Sequence, residues 1–331
     1  MFVRLRERKA RSAVSPASIA VRAEYSGEAT LDHLTVRHAA SALNENRYGV
    51  FARGSNTRLT LRSVRIVAAD GGDGEPATVG ATPELPTQSC AIGDGLAAGA
   101  DGAKGASGTI GSFDAEGFVP GNGQLGLPGA QGHNGVMAVA SCKKCVEANS
   151  CAFNKAMSCD GVKTSQESCP TAGEPGCGGL PGAGGGGGAG GRASIALFAW
   201  QAHVEVFDSL LHSGDGGDGA QGAAGGLGGP ARAPGGGAPG ISCTICLSAK
   251  LKIGPVCSSQ ADGAAAVRGR VGTKGSAGGP GGDGAGGPSY AIFQGAGATV
   301  TQQNTKLEHG AAGKSMGEGA AGTASDQGTS D

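Results

Sequence analysis

Four short segments of the chain repeat one pattern of hydrophobic and small residues. Each has Ile or Tyr, then a small residue, then an aliphatic residue, and three of them end in Phe; they are residues 19–22, 48–51, 195–198 and 290–293. A second run, in which hydrophobic and polar residues alternate, follows each of them after a turn sequence. A period of two is typical of a β-strand with one buried face, so each unit is predicted to be strand, turn, strand.

One such unit cannot bury its hydrophobic face alone, which favours stacking of the four units as successive coils. The sequence DGGDG at Asp70–Gly74 recurs at Asp215–Gly219, where the long segments after the second and third units begin. We therefore predict an all-β fold, a short right-handed parallel β-helix of about four coils with Gly-rich, polyglycine-II-like inserts. The alternative is a small antiparallel β-sandwich with disordered Gly-rich loops.

This interpretation divides the chain into two parts. Residues 1–17 form a basic N-terminal segment, either disordered or a truncated start, and residues 18–331 form a single β-helix-like domain with inserts at 75–190 and 220–288. The side chains expected in the core of the coils are the following: Val50, Phe51, Leu59, Leu61, Ile195, Leu197, Val204, Val206 and Ile292.

Glycine makes up 67 of the 331 residues, and its spacing in the inserts is regular. It recurs every third residue over 99–111, 123–135, 216–228 and 272–287. That period matches an extended left-handed helix with three residues per turn, in which one edge carries no side chains and neighbouring backbones can approach closely. A packed bundle of such helices is predicted, with flexible loops as the alternative. Residues 137–158, rich in Ala, Lys, Glu and Met, are expected to form a surface helix.

The ten cysteines cluster in the segments that are least able to build an apolar core. They are predicted to form up to five disulfides, which stabilise chains with little buried apolar surface. The candidates are Cys90, Cys142, Cys145, Cys151, Cys159, Cys169, Cys177, Cys243, Cys246 and Cys257. Two CxxC pairs in this set make zinc the rival reading, although their separation far exceeds that of a local zinc ribbon.

Disulfides indicate an extracytoplasmic location, either secreted or at the cell surface. The basic start of the chain has no apolar stretch of the kind that signal peptides carry, so we expect the signal sequence to be missing from this chain. A cytosolic protein with reduced thiols is the alternative.

No motif in the sequence predicts catalysis, a metal site or a cofactor. The two GxGxxG matches lack a surrounding βαβ unit, and the DGGDG turns lack the tandem array of calcium-binding repeats. His38, His212 and His309 each follow the second strand run of a unit and could form a row in the stack. The few outward acids, Asp32, Glu205 and Asp208, do not recur in adjacent units as in glycan-cleaving β-helices.

The net charge of −1 argues against a nucleic-acid partner, and no apolar run is long enough to span a membrane. The strand–turn–strand units, Gly-rich inserts and scattered cysteines resemble the Gly-rich exported or surface proteins of high-GC bacteria. The triplet-spaced inserts are similar to the Gly-rich domains of phage tail-tip adhesins. The resemblance implies a non-enzymatic structural or adhesion protein whose partner is an unknown surface or carbohydrate ligand. The alternative is a carbohydrate-binding or carbohydrate-active β-helix.

Overall fold

The computed structural model describes most of the chain. The described residues are 11–15, 18–24, 27–38, 44–87, 90–93, 99–139, 143–154, 156–168, 170–238, 243–247, 256–260 and 267–330. For 11–15, 143–154, 156–168, 243–247 and 256–260 the description covers the backbone only. All regular elements within these ranges are β-strands.

Most strands belong either to the four repeated units or to the inserts, and the first and last strands of the chain belong to neither. In chain order they are β1 (Arg11–Ser15), β2 (Ile19–Glu24), β3 (Glu28–Asp32), β4 (Leu34–His38), β5 (Arg47–Arg53), β6 (Arg58–Arg62), β7 (Arg65–Val67), β8 (Ser112–Asp114), β9 (Gly117–Val119), β10 (Lys143–Asn154), β11 (Ala156–Ser168), β12 (Ser194–Trp200), β13 (His203–Phe207), β14 (Leu210–His212), β15 (Cys243–Leu247), β16 (Val256–Gln260), β17 (Ser289–Gln294), β18 (Thr299–Gln303), β19 (Lys306–Glu308) and β20 (Ala324–Thr329).

Each repeated unit contributes one strand to each of three parallel sheets. The first sheet has the order β2-β5-β12-β17-β20, the second β3-β6-β13-β18 and the third β1-β4-β7-β14-β19. The four repeated segments pair in register, because Tyr48 lies opposite both Ile19 and Ile195, and Ile195 lies opposite Tyr290. The stacking that the repeat predicts is therefore present, whereas the third strand of each unit was not expected.

In every unit the first residue after the second-sheet strand adopts a left-handed conformation and turns the chain toward the third sheet. These corner residues are His33, Ser63, Asp208 and Asn304, with φ between 48° and 50°, the left-handed region that non-Gly residues rarely adopt. Each of the first three donates its backbone N–H to the carbonyl that precedes the next corner, at 3.0–3.1 Å. The hydrogen bonds along this ladder offset the cost of the left-handed conformation.

The inward side chains of the three sheets form one hydrophobic cluster. All nine side chains predicted for the core are buried, but Phe51 and Ile195 belong to a second cluster on the outer face of the first sheet. Leu61, Val204 and Val206, in the inward cluster, have no measurable exposure. The alternation along β6 and β13 produces this arrangement, since every second residue faces inward and its neighbours face outward.

The central strands β5 and β12 of the first sheet are buried on both faces, which is why β12 is a nearly continuous hydrophobic run. On the outer face of this sheet Phe51, Phe198 and Phe293 stack at ring-centroid distances of 4.6 and 5.6 Å. The antiparallel hairpin of β8 and β9 covers them with Phe113 and Phe118, the former lying 3.7 Å from the Phe293 ring. A second apolar cluster thus joins the sheets to the Gly-rich inserts.

Six Gly-rich segments pair through backbone hydrogen bonds that recur every third residue. Between two of them, the N–H groups of Gly179, Gly182 and Gly185 donate to residues 273, 276 and 279, at 2.9 Å. The pairing pattern corresponds to two layers of three, which we call the glycine bundle. One layer contains residues 71–86, 173–192 and 121–137, and the other contains 214–230, 267–288 and 99–111.

The prediction of a helix over residues 137–158 is wrong. Residues Lys143–Asn154 form β10, which pairs antiparallel with β11. Long-range pairing overrides the helix propensity of the Ala, Lys and Glu residues there. A further difference lies in the basic N-terminal segment, for which the sequence predicts no element. Its residues 11–15 form β1, which pairs with β4.

Candidate functional site

Two of the ten cysteines predicted to form disulfides are joined within the glycine bundle. Cys90 and Cys177 form a disulfide with a Cα separation of 5.4 Å, and it ties residues 90–93 to the segment 173–192. Cys142 and Cys169 lie outside the described residues. The backbone places Cys145 and Cys151 in β10, Cys159 in β11, Cys243 and Cys246 in β15, and Cys257 in β16.

The strand register predicts two further disulfides. Cys151 lies directly opposite Cys159, and Cys246 lies directly opposite Cys257, each pair in an antiparallel ladder. Directly opposed residues have Cα separations of about 4.5 or 5.5 Å, within the span that a disulfide bridges. Peptide mapping of unreduced protein by mass spectrometry should recover both linked pairs together with Cys90–Cys177. Linkage of Cys151 or Cys246 to any other cysteine would contradict the register.

The two DGGDG turns are equivalent positions in the stack, and their carboxylates hold the backbone of the next rung. Oδ1 of Asp70 accepts a hydrogen bond from the N–H of Asp215, and Oδ1 of Asp73 accepts one from Asp218, both at 2.8 Å. Asp215 and Asp218 in turn accept from the N–H groups of Ala311 and Lys314. These acids therefore act as a ladder of backbone acceptors. No group of three or more His, Cys, Asp or Glu residues suited to a metal ion occurs in the described part of the chain.

Polar side chains on the outer faces of the glycine bundle also accept hydrogen bonds from backbone N–H groups. Asn122 and Asn134 accept from the N–H groups of Gly190 and Gly178 at 2.8–2.9 Å. Outward N–H groups at the surface of the glycine bundle have no neighbouring backbone segment to bond, and these oxygens satisfy them. Asp101 accepts a hydrogen bond from the N–H of Ala277, in the neighbouring segment of the same layer.

Asp283 is buried, and its carboxylate contacts two backbone N–H groups and an ammonium group. Its carboxylate accepts hydrogen bonds from the backbone N–H groups of Glu318 and Gly222, both at 3.0 Å, and lies 3.5 Å from the Lys104 ammonium. The two N–H groups, ahead of the nearby ammonium, hold the pKa of Asp283 below its usual value.

The lowered pKa predicts a pH-dependent contribution to stability. Because folding favours the ionised form of Asp283, its contribution is present above the pKa of an unfolded Asp, about 4, and is lost as pH falls further through the folded value. Asp283→Asn should lower the free energy of unfolding by about 1–3 kcal/mol at neutral pH, and by less below pH ~4. Denaturant unfolding at several pH values measures this, with the exposed Asp326→Asn as control; a pH-independent difference would contradict it.

The row of histidines that the sequence allowed does not form. His212 lies at the level of Arg37, Val67 and Glu308, so His38 and His309 each lie one residue beyond it along the third sheet. The Nδ1 atom of His212 lies 3.3 Å from the Glu308 carboxylate instead. Spacing in the sequence does not reveal this difference of one residue, because it depends on how the strands of the third sheet pair.

The second apolar cluster, on the outer face of the first sheet, contains a small cavity that the sequence did not predict. It measures about 180 Å³, and the Tyr290 hydroxyl on its wall lies 2.6 Å from the Thr323 hydroxyl. Tyr48, beneath the hairpin, accepts a hydrogen bond from the N–H of Phe118 at 2.7 Å. Burial raises the pKa of Tyr48 above its usual value, so this phenol stays neutral and serves as a structural acceptor.

A larger concave surface follows the corner ladder, and we call it the corner groove. It is open, has a volume of about 570 Å³, and takes equivalent residues from all four units. The corner residues form one wall. The first outward row of the third sheet forms the other, in the order Thr35, Arg65, Leu210 and Lys306.

The charges in the corner groove are of both signs. Asp208 lies 3.3 Å from the Asn304 amide, and the Lys306 ammonium pairs with Glu308 at the exposed surface. Arg65 is exposed and forms no ion pair within the described ranges. Of the outward acids weighed in the sequence, only Asp208 lines this groove; Asp32 pairs with His33, and Glu205 lies on the outer face of the second sheet.

The corner groove could have been found in the sequence only by aligning the third strand of each unit, which is three residues long in β7, β14 and β19. Such strands are too short for alternation to be recognised. Over the described ranges there is no helix long and apolar enough to cross a membrane. Comparison with protein-family models, with curated proteins and with solved structures gives no match to this chain.

Proposed function

We propose that this chain is a non-enzymatic structural or adhesion protein, secreted or displayed at the cell surface. In this proposal the three parallel sheets are the coils of a short right-handed parallel β-helix, and the glycine bundle is an assembly of polyglycine-II-like helices. The β-helix is the rigid spine, and the bundle lies against it as a broad surface of low charge.

The observation that carries the proposal is the use of acidic and amide side chains as backbone acceptors. Asp70, Asp73, Asp215, Asp218 and Asp283 all bond main-chain N–H groups of adjacent segments. Side chains engaged in this way fix the distance between neighbouring backbones, as a scaffold requires. The Cys90–Cys177 disulfide adds a covalent link and is compatible with an oxidising compartment.

Limited proteolysis of intact source cells tests the location. A protease added outside should remove the chain from the cell fraction, or the chain should be found in the medium, while a cytosolic marker stays intact. Beads coated with the full chain should then adhere to the source's own cell surfaces, and beads coated with the reduced, unfolded chain should not. Protection of the chain inside intact cells would overturn the proposal.

A second function, carbohydrate binding by the β-helix, is favoured by one observation. The corner groove crosses all four units and presents at least one hydroxyl, amide or charged side chain at each level. Repeated polar positions of this kind suit a repeating ligand.

A further inference from the structure

We propose that the corner groove binds an extended acidic polysaccharide, whose carboxylates pair with Arg65 and Lys306. This inference deepens the proposed surface function and rests on it. It names the chemistry of the ligand, the part of the molecule that receives it and the two side chains that select it.

The shape of the groove favours a chain rather than a compact ligand. Its walls are rows of equivalent residues from four stacked strands, which lie about 4.8 Å apart. The groove is open and follows the stacking direction. A pyranose unit in an extended polysaccharide advances by about the height of one rung, so successive sugars would meet successive levels of the same two rows.

Cationic and apolar side chains alternate along the third-sheet wall of the groove. Arg65 and Lys306 stand at the second and fourth levels, about 10 Å apart, with Leu210 between them. Leu210 offers an apolar surface to one face of a sugar ring. Ser63 and Asn304, in the corner row at the levels of the two cations, can bond ring hydroxyls.

Carboxylates are the ligand groups that these cations select. Arg65 has no ion-pair partner among the described residues, and its guanidinium can bind a carboxylate in a bidentate manner. Within the described part of the chain, Lys306 pairs only with Glu308, at an exposed position where such a pair contributes little to stability. A ligand carboxylate can therefore replace Glu308 at small cost.

Two other polymers fit the groove less well. An extended peptide would bond a sheet edge, whereas the backbone of Arg65 and Leu210 is already paired on both sides. A single-stranded nucleic acid requires aromatic rings for base stacking, and the residues that line the groove include no Phe, Tyr or Trp.

Isothermal titration of the full chain with oligogalacturonate tests the proposal, with a neutral cello-oligosaccharide of the same length alongside. The double variant Arg65→Gln/Lys306→Gln should bind oligogalacturonate at least ~10-fold more weakly, the effect of losing about 1.4 kcal/mol. The matched control is Arg270→Gln/Lys274→Gln, which removes one Arg and one Lys from exposed positions of the glycine bundle. It should leave the affinity unchanged.

Three results would overturn the proposal: no uronate binding by the native chain, equal affinity for the neutral oligosaccharide, or an equal loss in the control variant, which would indicate bulk charge. A competing peptide or single-stranded oligonucleotide that displaces the uronate with higher affinity would also overturn it. These outcomes are separate from the location test. A chain exposed to external protease that binds no uronate keeps its proposed surface function and loses only this ligand.

Discussion

Val206→Asp is expected to destabilise the protein more than any other single change to the core of the coils. Val206 has no measurable exposure and lies in β13 between Leu61 of β6 and Gln302 of β18. The new carboxylate would be placed among apolar side chains with no cation to pair with, and an uncompensated buried charge typically costs about 3–5 kcal/mol. Most or all of the stability of a marginally stable domain would be lost.

Denaturant and thermal unfolding, followed by far-ultraviolet circular dichroism, measure the effect. The matched control is Gln303→Asp, which places the same carboxylate one strand away on the exposed outer face of the second sheet. The control should unfold within about 0.5 kcal/mol of the native chain, as surface substitutions usually do. Unchanged stability of the Val206→Asp variant would contradict the placement of Val206 in the core.

The parts of the fold that sequence predicted are those where a short-range pattern carries the information. Alternation in β6 and β13 specified which side chains face the core, and the similarity of residues 48–51, 195–198 and 290–293 specified which strands are stacked. The triplet spacing of Gly likewise predicted close backbone packing in the inserts. All of these follow from periods of two or three residues, which survive in a single sequence.

The parts that were missed depend on contacts between distant residues. Ser63 has no preference for the left-handed region, and Asp208 belongs to a residue type that only occasionally adopts it. Neither residue identifies a corner by itself, because the ladder of hydrogen bonds to other units stabilises that conformation. The pairing of β10 with β11 likewise overrides local helix propensity. The acceptor role of the DGGDG acids needs the register between two turns that lie 145 residues apart. The corner groove combines both difficulties, because its residues come from four units and stand beside a corner that the sequence does not mark.

Gly281→Ala is the second large effect, and it distinguishes a packed glycine bundle from flexible loops. Gly281 is buried in the segment 267–288, and its N–H donates to the carbonyl of Ala223 at 2.8 Å. A Cβ there would overlap the carbonyl oxygen of Gly186 in the opposite layer. Neither backbone can yield without breaking hydrogen bonds to its other neighbours, so we expect a loss of about 1–3 kcal/mol from overpacking.

Gly236→Ala is the matched control, because a Cβ at Gly236 would meet nothing within 4 Å. There the smaller conformational entropy of the unfolded chain should leave stability unchanged or raise it by up to ~1 kcal/mol. The two variants carry the same substitution, but Gly281→Ala should lower the unfolding midpoint and Gly236→Ala should not. Hydrogen exchange gives an independent readout, since Gly281→Ala should speed exchange at Gly185 and Gly188, whose N–H groups donate to residues 279 and 282. Equal unfolding midpoints for the two variants would mean that the Gly-rich inserts are not packed against each other. The glycine bundle would then not be part of the proposed scaffold.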